Sequence, residues 1–367
     1  MPLIWAAISG HGFGHAAQVV PVLNALGRLV PDLRVLLRTT VSATFFQDRL
    51  TIPWTISAVQ QDIGCIQNGP LAIDVQATWH AHQQFHRTWA DRLQAEVEAM
   101  QTTKPDVILA NTSYLSLAAG KAAGIPTVAL ASLTWDLILS QFVDQAPPSI
   151  DCRTIMQSIR QAYVQADLAL RITPAPQSNL FHRIIDLQPI AEPASSAREQ
   201  LAKLLTLNPG ERTVLVGFGG VPLDSLPFDT VESLTTYRFL FDGSVPPNST
   251  RCLSTKDLPF SFKTLTASVD VIMTKPGYGT LVEAVASQTP MVYVRRYNFG
   301  DEQSLVEYLH RYGRGIELSM SDFTQGRWGT AIRTAIGMPA PETAPPSPTG
   351  AAEAAALLTP YFTEKRN

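Results

Sequence analysis

The sequence predicts an α/β protein of two Rossmann-like, doubly wound domains that face each other across a cleft. Three observations support this fold class. Short apolar runs alternate with helical patterns along the chain, which indicates parallel sheets wrapped by helices. The chain has 367 residues, enough for two domains that each have a core. Glycine-rich turns follow a predicted strand in both halves, where open α/β sheets bind ligands.

The first half of the chain alternates regularly between strands and helices. We predict strands over Leu3–Ile8, Arg34–Arg38, Trp54–Ser57, Val107–Ala110, Thr127–Ala131 and Asp167–Ile172. We predict helices over Ala16–Leu29, Thr44–Asp48, Trp79–Gln101, Ser113–Ala123 and Ile150–Gln165. The segment Thr173–Ser196 is rich in proline and has little periodicity, so we expect the interdomain linker there.

The second half repeats the alternation and ends in a proline-rich segment. We predict strands over Thr213–Val216, Tyr237–Phe241, Thr250–Leu253, Val269–Met273 and Pro290–Arg295. We predict helices over Ala197–Leu205, Leu258–Ala267, Leu281–Ser287 and Ala351–Phe362, the last after the proline-rich Met338–Gly350. The expected organisation is an acceptor-side domain (1–185), a nucleotide-sugar-binding domain (186–337) and a C-terminal segment (338–367).

Charge and cysteine usage exclude several classes of protein. The formal net charge is -3 and no long basic run occurs, so nucleic acid is not expected as a partner. Cys65, Cys152 and Cys252 are widely spaced, which is typical of a reducing cytosol and fits neither a disulfide framework nor a zinc site. No positively charged leader and no membrane-spanning run is recognised. We therefore expect a soluble cytoplasmic protein without a metal or cofactor.

The stretch from Asp270 to Gln303 carries the clearest functional signal. A strand runs into the tight turn Lys275–Gly279, and Thr280 is expected to cap the next helix. Such a helix start directs backbone N–H groups and the positive end of the helix dipole at an anion, typically a phosphate. Glu283 can accept a hydrogen bond from a ribose. The predicted donor-binding residues of this block are Lys275, Gly277, Tyr278, Gly279, Thr280, Glu283, Asp301, Glu302 and Gln303.

A second candidate site is the loop Ser9–His15, between the first strand and the first helix. Gly12 and Gly14 permit close backbone approach to a donor, and His11 and His15 bring imidazoles to the carboxyl end of the sheet. A histidine of near-neutral pKa can take a proton from an acceptor hydroxyl. We predict that His15 is the base, with His11 as the alternative. A purely structural turn with a helix-capping histidine is the competing interpretation.

Four further motifs have less specific interpretations. Gly219 and Gly220, in a turn after Val216, would add N–H groups to a diphosphate, although many such turns are structural. Asp136 could orient a histidine or an acceptor hydroxyl, or could simply begin a helix. The predicted helix that contains His82 and His86 is interpreted as an aromatic helix beside the cleft, because the zincin pattern has no match there. Arg295 and Arg296 could pair with a diphosphate or with surface carboxylates, and we favour the surface for Arg296.

Taken together, these motifs resemble nucleotide-sugar glycosyltransferases of the GT-B fold. The chain is more particularly similar to the glycosyltransferase-like N-terminal region of L-arabinokinase. That region has a similar Gly-His-Gly-Phe-Gly-His-Ala start, a Trp-Asp segment, a Phe-Gly-Gly turn and a Gly-Tyr-Gly-Thr block. A broader similarity is to the peptidoglycan lipid-intermediate N-acetylglucosaminyltransferase. The resemblance covers residues 1–325 and implies an inverting, metal-independent transfer, with His15 as base, Glu283 on the ribose, and Asp301 and Gln303 on the sugar. Asn111 stands where relatives often carry Asp.

Three functions remain open at this stage. The leading hypothesis is transfer of a sugar from a nucleotide-diphosphate donor, a uridine conjugate, to a hydroxyl of a small molecule, glycan or lipid-linked acceptor. A non-hydrolysing sugar-nucleotide epimerase has the same fold but needs several carboxylates around the sugar, and few are recognised beside the first glycine turn. A non-catalytic nucleotide-sugar-binding module would not need the two histidines. Peripheral membrane contact through Phe45, Phe46 and Trp54 is also considered, with a buried core as the alternative.

Overall fold

The computed structural model of this chain describes every residue except Pro70, Pro193, 219–225 and 364–367. Within the described residues the strands form two sheets, and every pairing between named strands is parallel. Helices connect most pairs of successive strands. The predicted α/β class with two doubly wound sheets is therefore confirmed.

The first sheet has seven strands, and its order reverses between its first and fourth strands. The strands are β1 (Leu3–Ile8), β2 (Arg34–Arg38), β3 (Trp54–Ser57), β4 (Val107–Asn111), β5 (Thr127–Ala131), β6 (Leu168–Ile172) and β7 (Ile184–Leu187). They lie in the order β3-β2-β1-β4-β5-β6-β7. Ligands of such sheets bind beyond the carboxyl ends of the strands at the reversal point, here between β1 and β4.

The second sheet has six strands and repeats this arrangement. The strands are β8 (Arg212–Val216), β9 (Tyr237–Phe241), β10 (Cys252–Ser254), β11 (Val271–Thr274), β12 (Met291–Tyr293) and β13 (Gly315–Glu317). They lie in the order β10-β9-β8-β11-β12-β13, so the reversal falls between β8 and β11. The predicted phosphate-binding turn directly follows β11.

Helices cover both sheets. Those of the first half are α1 (Gly14–Leu29), α2 (Ala43–Gln47), α3 (Val75–Arg87), α4 (Trp89–Thr103), α5 (Leu115–Ala122), α6 (Trp135–Ser140) and α7 (Cys152–Tyr163). Those of the second half are α8 (Arg198–Leu204), α9 (Phe228–Glu232), α10 (Phe262–Thr266), α11 (Tyr278–Ala286), α12 (Glu302–Tyr312), α13 (Met320–Thr324), α14 (Gly329–Gly337), α15 (Gly350–Leu358) and α16 (Pro360–Thr363).

The central strand β1 is apolar throughout because both of its faces are buried. Ile4, Ala6 and Ile8 are buried in one core cluster, and Trp5 and Ala7 are buried in another on the opposite face. A parallel strand covered by helices on both faces has no solvent side, so it reads as a continuous apolar run and not as an alternation. The carboxyl end of β1 is consequently held rigidly beneath the loop Ser9–His15.

The two halves of the chain contact each other at several places among the described residues. The C-terminal helix α15 packs on α1, with Ala354 and Ala355 fully buried in the cluster that contains the α1 core residues. Phe299 of the second half is buried in the first sheet's second core cluster. The Tyr278 hydroxyl, at the start of α11, lies 2.9 Å from Thr173 O and 2.9 Å from Ile190 N. These contacts fix the cleft between the two sheets.

Several predicted elements differ from the observed ones. The helix predicted over Trp79–Gln101 is two helices, because the backbone of Thr88 leaves helical geometry at φ -109° and ψ 21°. The predicted linker contains β7, which extends the first sheet. Helix α12 and strand β13 were not predicted. Thr280 does not cap its helix, because α11 begins at Tyr278 with Gly277 as the capping residue.

Candidate active site

The predicted site residues gather where the carboxyl ends of the two sheets face each other. His11 and His15 follow β1, Asn111 ends β4, Lys275 follows β11, and Asp301 lies beyond β12. Burial and the charge of His15 lower the pKa of His11, in the first half, and so do the positive charges of Lys275 and Arg296, in the second half. The two sets of predicted residues therefore belong to one cleft.

His15 is held in a defined orientation by a chain of side-chain amides. Its Nδ1 lies 2.9 Å from Asn111 Oδ1, and Asn111 Nδ2 donates to Gln18 Oε1 at 3.0 Å. Gln18 Nε2 in turn donates to Ser132 Oγ at 3.0 Å. Because Asn111 presents its carbonyl oxygen, Nδ1 of His15 carries the proton. Nε2 is then left with a lone pair that can accept a proton from a substrate.

Thr112 completes this arrangement in a strained conformation. Its φ is +58°, which is rare for a β-branched residue, and its hydroxyl lies 3.1 Å from His15 Nδ1. The hydroxyl also donates to Asn111 Oδ1 at 3.3 Å. Burial lowers the pKa of His15 to about 4, while the hydrogen bond to Asn111 opposes the shift. The imidazole is therefore neutral at physiological pH, as a general base requires.

His11 lies between the two domains and has a different environment. Its ring meets the edge of Trp135 with centroids 5.0 Å apart. A Cβ at Gly64 would come 2.5 Å from His11 Nδ1, so only glycine fits beside this ring. Burial, and then the charges of His15, Lys275 and Arg296, lower the pKa of His11 to about 3. His11 is consequently a neutral ring beside two cations.

Asp62 is a buried carboxylate that the sequence did not reveal. It is hydrogen-bonded to the residues that contact the two histidines. Asp62 accepts from Ser9 Oγ at 3.0 Å and from Trp135 Nε1 at 3.0 Å. Ser9 Oγ also accepts from the His11 backbone N–H at 3.3 Å, and the Trp135 ring contacts both imidazoles. Burial raises the pKa of Asp62 to about 6. Asp62 lies in an irregular segment, so no strand or helix pattern marked it.

Asp136 does not orient a histidine. Its Oδ2 accepts from Arg160 Nε at 3.1 Å, and its other oxygen has no hydrogen-bond partner among the described residues. The side chain that orients His15 is Asn111. Asp136 instead ties the start of α6 to α7, which fits the alternative interpretation of a helix N-terminus.

The turn after β11 presents a helix start to the cleft. Gly277 precedes α11 without a side-chain cap, and the N–H of Leu281 is the first to bond back, to Gly277 O at 3.0 Å. The amides of Tyr278, Gly279 and Thr280 lie in the first turn, where N–H groups have no partner within the helix. Backbone N–H groups and the helix dipole together favour an anion at this point.

Tyr278 does not face this anion position. Its hydroxyl donates to Thr173 O, just after β6, and accepts from Ile190 N, just after β7. The ring is buried, and burial raises the pKa of the phenol well above its ordinary range. The side chain of Tyr278 is therefore an interdomain tie, and the predicted donor contact of this residue stays a prediction for its backbone N–H.

Three further charged side chains, those of Arg296, Asp301 and Glu302, interact with Lys275 in the cleft. Glu302 is fully buried and pairs with Arg296, accepting from both the backbone N–H at 2.9 Å and Nε. The Arg296 side chain is only 5% exposed, so the surface role favoured for it is wrong. Glu302 has no free face toward a sugar. Asp301 Oδ1, by contrast, is buried without a hydrogen-bond partner among the described residues.

The charges in this group alter one another's ionisation. Burial, and then Arg296, lower the pKa of Lys275 to about 8, while Glu302 and Asp301 oppose this. Burial raises the pKa of Asp301 to about 6, against the effect of Arg296. A carboxyl group that is buried and lacks a partner is suited to accept hydrogen bonds from sugar hydroxyls. Asp301 is thus the member of this group best placed for the role that the sequence predicts.

Glu283 and Gln303 lie at the margins of the predicted donor site. Glu283 Oε1 is 3.7 Å from Lys263 Nζ, and burial raises the pKa of this carboxyl to about 7. Gln303 is exposed, accepts from Arg295 at 3.2 Å and donates to Glu307 at 2.7 Å. Both retain oxygen atoms that a ligand could engage. Gly219 and Gly220 lie outside the described residues.

The histidines of α3 form part of an aromatic stack. His86 stacks on Trp89 with centroids 5.3 Å apart and on Tyr114 at 5.9 Å. Burial, and then His86, lower the pKa of His82 to about 3. In the described part of the chain, no group of three or more His, Cys, Asp or Glu side chains is arranged to hold a metal. The pair therefore packs beside the cleft as an aromatic helix.

Two apolar features lie in the first half of the chain. A half-open hollow at the carboxyl ends of β5 and β6 is lined mainly by apolar side chains, together with Ser132, Thr134, Arg171 and Ser178. In the second feature, Phe13 is 54% exposed and stacks on Phe45 at 5.3 Å. Phe46 is fully buried, so it belongs to the core and not to a membrane-contacting patch. No helix among the described residues is long and apolar enough to cross a bilayer.

Comparison with known proteins agrees with this geometry. The search against family models gave no match to this chain. L-arabinokinase from Arabidopsis thaliana is 27% identical over 338 residues, which cover 90% of this chain and 32% of the relative. The chain thus spans about a third of the length of that protein.

Solved structures of glycosyltransferases share the fold across nearly the whole chain. The kitacinnamycin glycosyltransferase has a TM-score of 0.61 and 14% identity, covering 98% of this chain and 94% of its own. Phytolacca americana UGT2, complexed with UDP-2-fluoro-glucose and pterostilbene, has a TM-score of 0.60 and 13% identity, with coverages of 98% and 93%. The spinosyn forosaminyltransferase SpnP has a TM-score of 0.59 and 14% identity, with coverages of 99% and 95%. The chain therefore has the GT-B fold.

Proposed function

We propose that this chain is an inverting glycosyltransferase that moves a sugar from a nucleoside-diphosphate donor, a uridine conjugate, to an acceptor hydroxyl without a metal. The observation that carries the proposal is the orientation of His15. A neutral imidazole, fixed through Nδ1 by Asn111, lies at the reversal point of one sheet. Across the cleft, the other sheet presents the start of α11 and the Lys275 ammonium at its own reversal point.

Each part of the reaction has a residue suited to it. His15 Nε2 takes the proton of the acceptor hydroxyl, whose oxygen attacks the anomeric carbon from the face opposite the phosphate. The bond from that carbon to the phosphate oxygen breaks, and its electron pair leaves with the nucleoside diphosphate. The configuration at the anomeric carbon is thereby inverted.

The leaving diphosphate is stabilised by donors that exist before the reaction. The first amides of α11 and the ammonium of Lys275 supply positive potential where the charge develops. Asp301 accepts hydrogen bonds from the sugar. Gln303 contacts the edge of the sugar, and Glu283 contacts the ribose. Donors that are already in place cost no reorganisation at the moment of bond cleavage.

The hollow at the carboxyl ends of β5 and β6 suggests an acceptor with an apolar part. It is lined mainly by apolar side chains, and its Ser132 belongs to the hydrogen-bond chain that ends at His15. Binding pockets for small molecules combine such lining with a few polar groups. An Ala131→Phe substitution, which fills the hollow, should raise the acceptor KM at least about tenfold and leave the donor KM unchanged. An unchanged acceptor KM would place the acceptor elsewhere.

The epimerase alternative gains little from the structure. Asp62 adds a carboxyl group near the first glycine turn, but both of its oxygens are engaged, by Ser9 and Trp135. Elimination and re-addition need acids and bases around the sugar itself. The described residues of the first half provide His15 and His11 there, and these fit deprotonation of an acceptor.

The decisive test separates transfer, epimerisation and simple binding. Each of several nucleotide sugars is incubated with and without a panel of hydroxyl acceptors, and both nucleoside diphosphate release and donor structure are followed. The proposal predicts release that depends on acceptor and is lost in His15→Ala, which should still bind the donor. His80→Ala, on the exposed face of α3, is the matched control. A donor isomerised without acceptor would support an epimerase, and binding without any turnover would support a sensor.

A further inference from the structure

Trp135 is the aromatic ring that both imidazoles of the candidate site contact. Its centroid lies 5.0 Å from that of His11 and 5.8 Å from that of His15, with interplanar angles of 81° and 62°. The side chain is fully buried at the first position of α6. Aromatic rings at these separations favour an edge-to-face arrangement. The orientation of the indole therefore constrains both imidazoles.

Hydrogen bonds fix Trp135 at its side chain and at its backbone. The indole N–H donates to Asp62 Oδ2 at 3.0 Å. The backbone N–H donates to the Tyr163 hydroxyl at 3.1 Å, and that hydroxyl donates to Thr112 O at 2.5 Å. Thr112 is the residue whose own hydroxyl lies 3.1 Å from His15 Nδ1. Both connections of Trp135 therefore belong to the surroundings of the candidate base.

Asp62 is a buried carboxylate that receives two neutral donors. Its side chain accepts from Ser9 Oγ and from Trp135 Nε1, and the residue is only 4% exposed. Across the part of the chain that the structure describes, no Lys, Arg or His side chain forms an ion pair with Asp62. Burying a carboxylate without a cation is costly. Because both neighbours donate, however, the position needs two acceptor oxygens, and among side chains a carboxylate supplies them without a competing donor.

Ser9 extends this network to the histidine loop. Its Oγ accepts from the His11 backbone N–H at 3.3 Å, and its backbone N–H donates to Asn111 O at 3.2 Å. Asp62 thus joins the loop after β1 to the start of α6, which follows β5. These two segments meet at the carboxyl edge of the first sheet, where His15 lies.

We propose that Asp62 and Trp135 are positioning residues of the transfer reaction: Asp62 holds the indole ring against both imidazoles, and the ring keeps His15 Nε2 directed at the acceptor hydroxyl. This proposal rests on the proposed transferase function. Both residues act through His15. A general base must lie within hydrogen-bond reach of the proton that it takes, and small displacements of a reacting group slow the reaction strongly. Since both side chains are buried, their loss should lower kcat without changing the KM of either substrate.

Three variants and one matched control separate positioning from folding. Asp62→Leu removes both acceptor oxygens at similar size, and Trp135→Phe keeps an aromatic ring without the indole N–H. Asp62→Asn is the conservative variant, because its Oδ1 still accepts from Trp135 while its Nδ2 donates to Ser9 Oγ. The control is Trp328→Phe. Trp328 is fully buried in the second half of the chain, and its indole N–H donates to Phe323 O at 2.9 Å.

Kinetic constants give the first readout. In the transfer assay Asp62→Leu and Trp135→Phe should each lower kcat at least about tenfold, with both KM values within about twofold of wild type. Asp62→Asn should keep kcat within about threefold, since the bond that orients the ring is retained. The double variant Asp62→Leu/Trp135→Phe should be no slower than the slower single variant, because both changes break one link. Trp328→Phe should keep the wild-type kcat.

The imidazole NMR signals give a second readout that needs no turnover. The Cε1–H signals of His11 and His15 should shift in Asp62→Leu and stay near their wild-type positions in Asp62→Asn, although Trp135 is present in both. If Asp62→Leu does not fold, Asp62→Ser takes its place, because the shorter side chain cannot reach both donors.

The outcomes separate this proposal from the transferase proposal. An unchanged kcat in Asp62→Leu and Trp135→Phe, or additive losses in the double variant, would overturn the positioning role. Asp62→Asn as slow as Asp62→Leu would also overturn it, since the charge would then matter and not the hydrogen bond. If the wild type transfers no sugar, the proposed function fails and the ring signals alone decide. Equal signals in the two Asp62 variants would then overturn the positioning role, and a shift confined to Asp62→Leu would support it.

Discussion

The substitution Asn111→Asp tests whether His15 is oriented and tuned as a base by its neutral neighbour. Asn111 Oδ1 lies 2.9 Å from His15 Nδ1, and burial holds the pKa of His15 at about 4. A carboxylate at the same position would face a protonated imidazole with charge centres roughly 4 Å apart. It should therefore favour the charged form of His15 and raise the pKa of that group.

The size of the shift follows from the geometry. Two unit charges roughly 4 Å apart interact by about 4 kcal/mol at an effective dielectric constant of about 20. Each pKa step corresponds to about 1.4 kcal/mol, so this attraction could raise the pKa by as much as about 3. The new carboxylate loses hydration in the same buried site, which offsets part of the gain. We therefore expect the pKa of His15 to rise from about 4 to about 6.

The surroundings can accommodate the carboxylate. Gln18 Oε1 now accepts from Asn111 Nδ2, and it would meet an oxygen in the variant. Rotation of the Gln18 amide would present Nε2 to the new carboxylate, and the Ser132 hydroxyl could then donate to Gln18 Oε1. Because one amide flip of Gln18 restores this series of hydrogen bonds, the fold should be retained.

Two assays follow the His15 titration. An NMR titration of the imidazole signals reads the pKa of His15 directly and needs no acceptor. The acidic limb of the kcat/KM profile should move upward in the same variant, with activity preserved near pH 8. Asn248→Asp, an exposed position in the second half, controls for the added charge. A pKa for His15 that is unchanged or lower in Asn111→Asp would refute the proposed orientation of Nδ1 toward residue 111.

Three further predictions follow from the cleft. Gly64→Ala should lower kcat at least about tenfold, because the new Cβ would come 2.5 Å from His11 Nδ1. Gly243→Ala, at a position with open space, should have no effect in the same turnover assay. Donor binding should weaken as the pH rises through about 8, since burial lowers the pKa of Lys275 to that value and the ammonium is lost above it. Calorimetry between pH 6 and 10 measures the donor affinity. A constant affinity would exclude a role for the Lys275 charge. Tyr278→Phe should reduce the free energy of unfolding by about 1–3 kcal/mol, because the Thr173 carbonyl and the Ile190 N–H lose their partner. An unchanged denaturation midpoint would contradict that tie.

The sequence was most informative where the functional residues are contiguous. The loop with His11 and His15 and the turn at Lys275 each follow a strand directly, so their position at a sheet edge could be predicted from the pattern. Asn111 and Asp62 act through partners far away in the chain. Their roles depend on which loops the fold brings together, and no local pattern contains that information.

Two errors have a common physical cause, the starting point of a helix. Placing Thr280 at the cap assumed that α11 begins at Leu281, and it begins at Tyr278 instead. The side chain at the first helical position consequently points to the interdomain segment rather than to the anion. Glu302 was likewise predicted to bind the donor, but it lies in the first turn of α12, buried against Arg296.

Binding of nucleoside diphosphates to the wild-type chain tests the central claim most directly. The melting temperature would be measured with uridine, guanosine, adenosine and thymidine diphosphates and with their nucleosides. A ligand that binds only the native state at a hundred times its Kd stabilises it by about 2.7 kcal/mol, which is readily seen as a shift in melting temperature. The account predicts a selective rise with one diphosphate, the uridine compound, that falls when Lys275 is replaced by Gln. Identical melting with every nucleotide at millimolar concentration would contradict a donor site in this cleft.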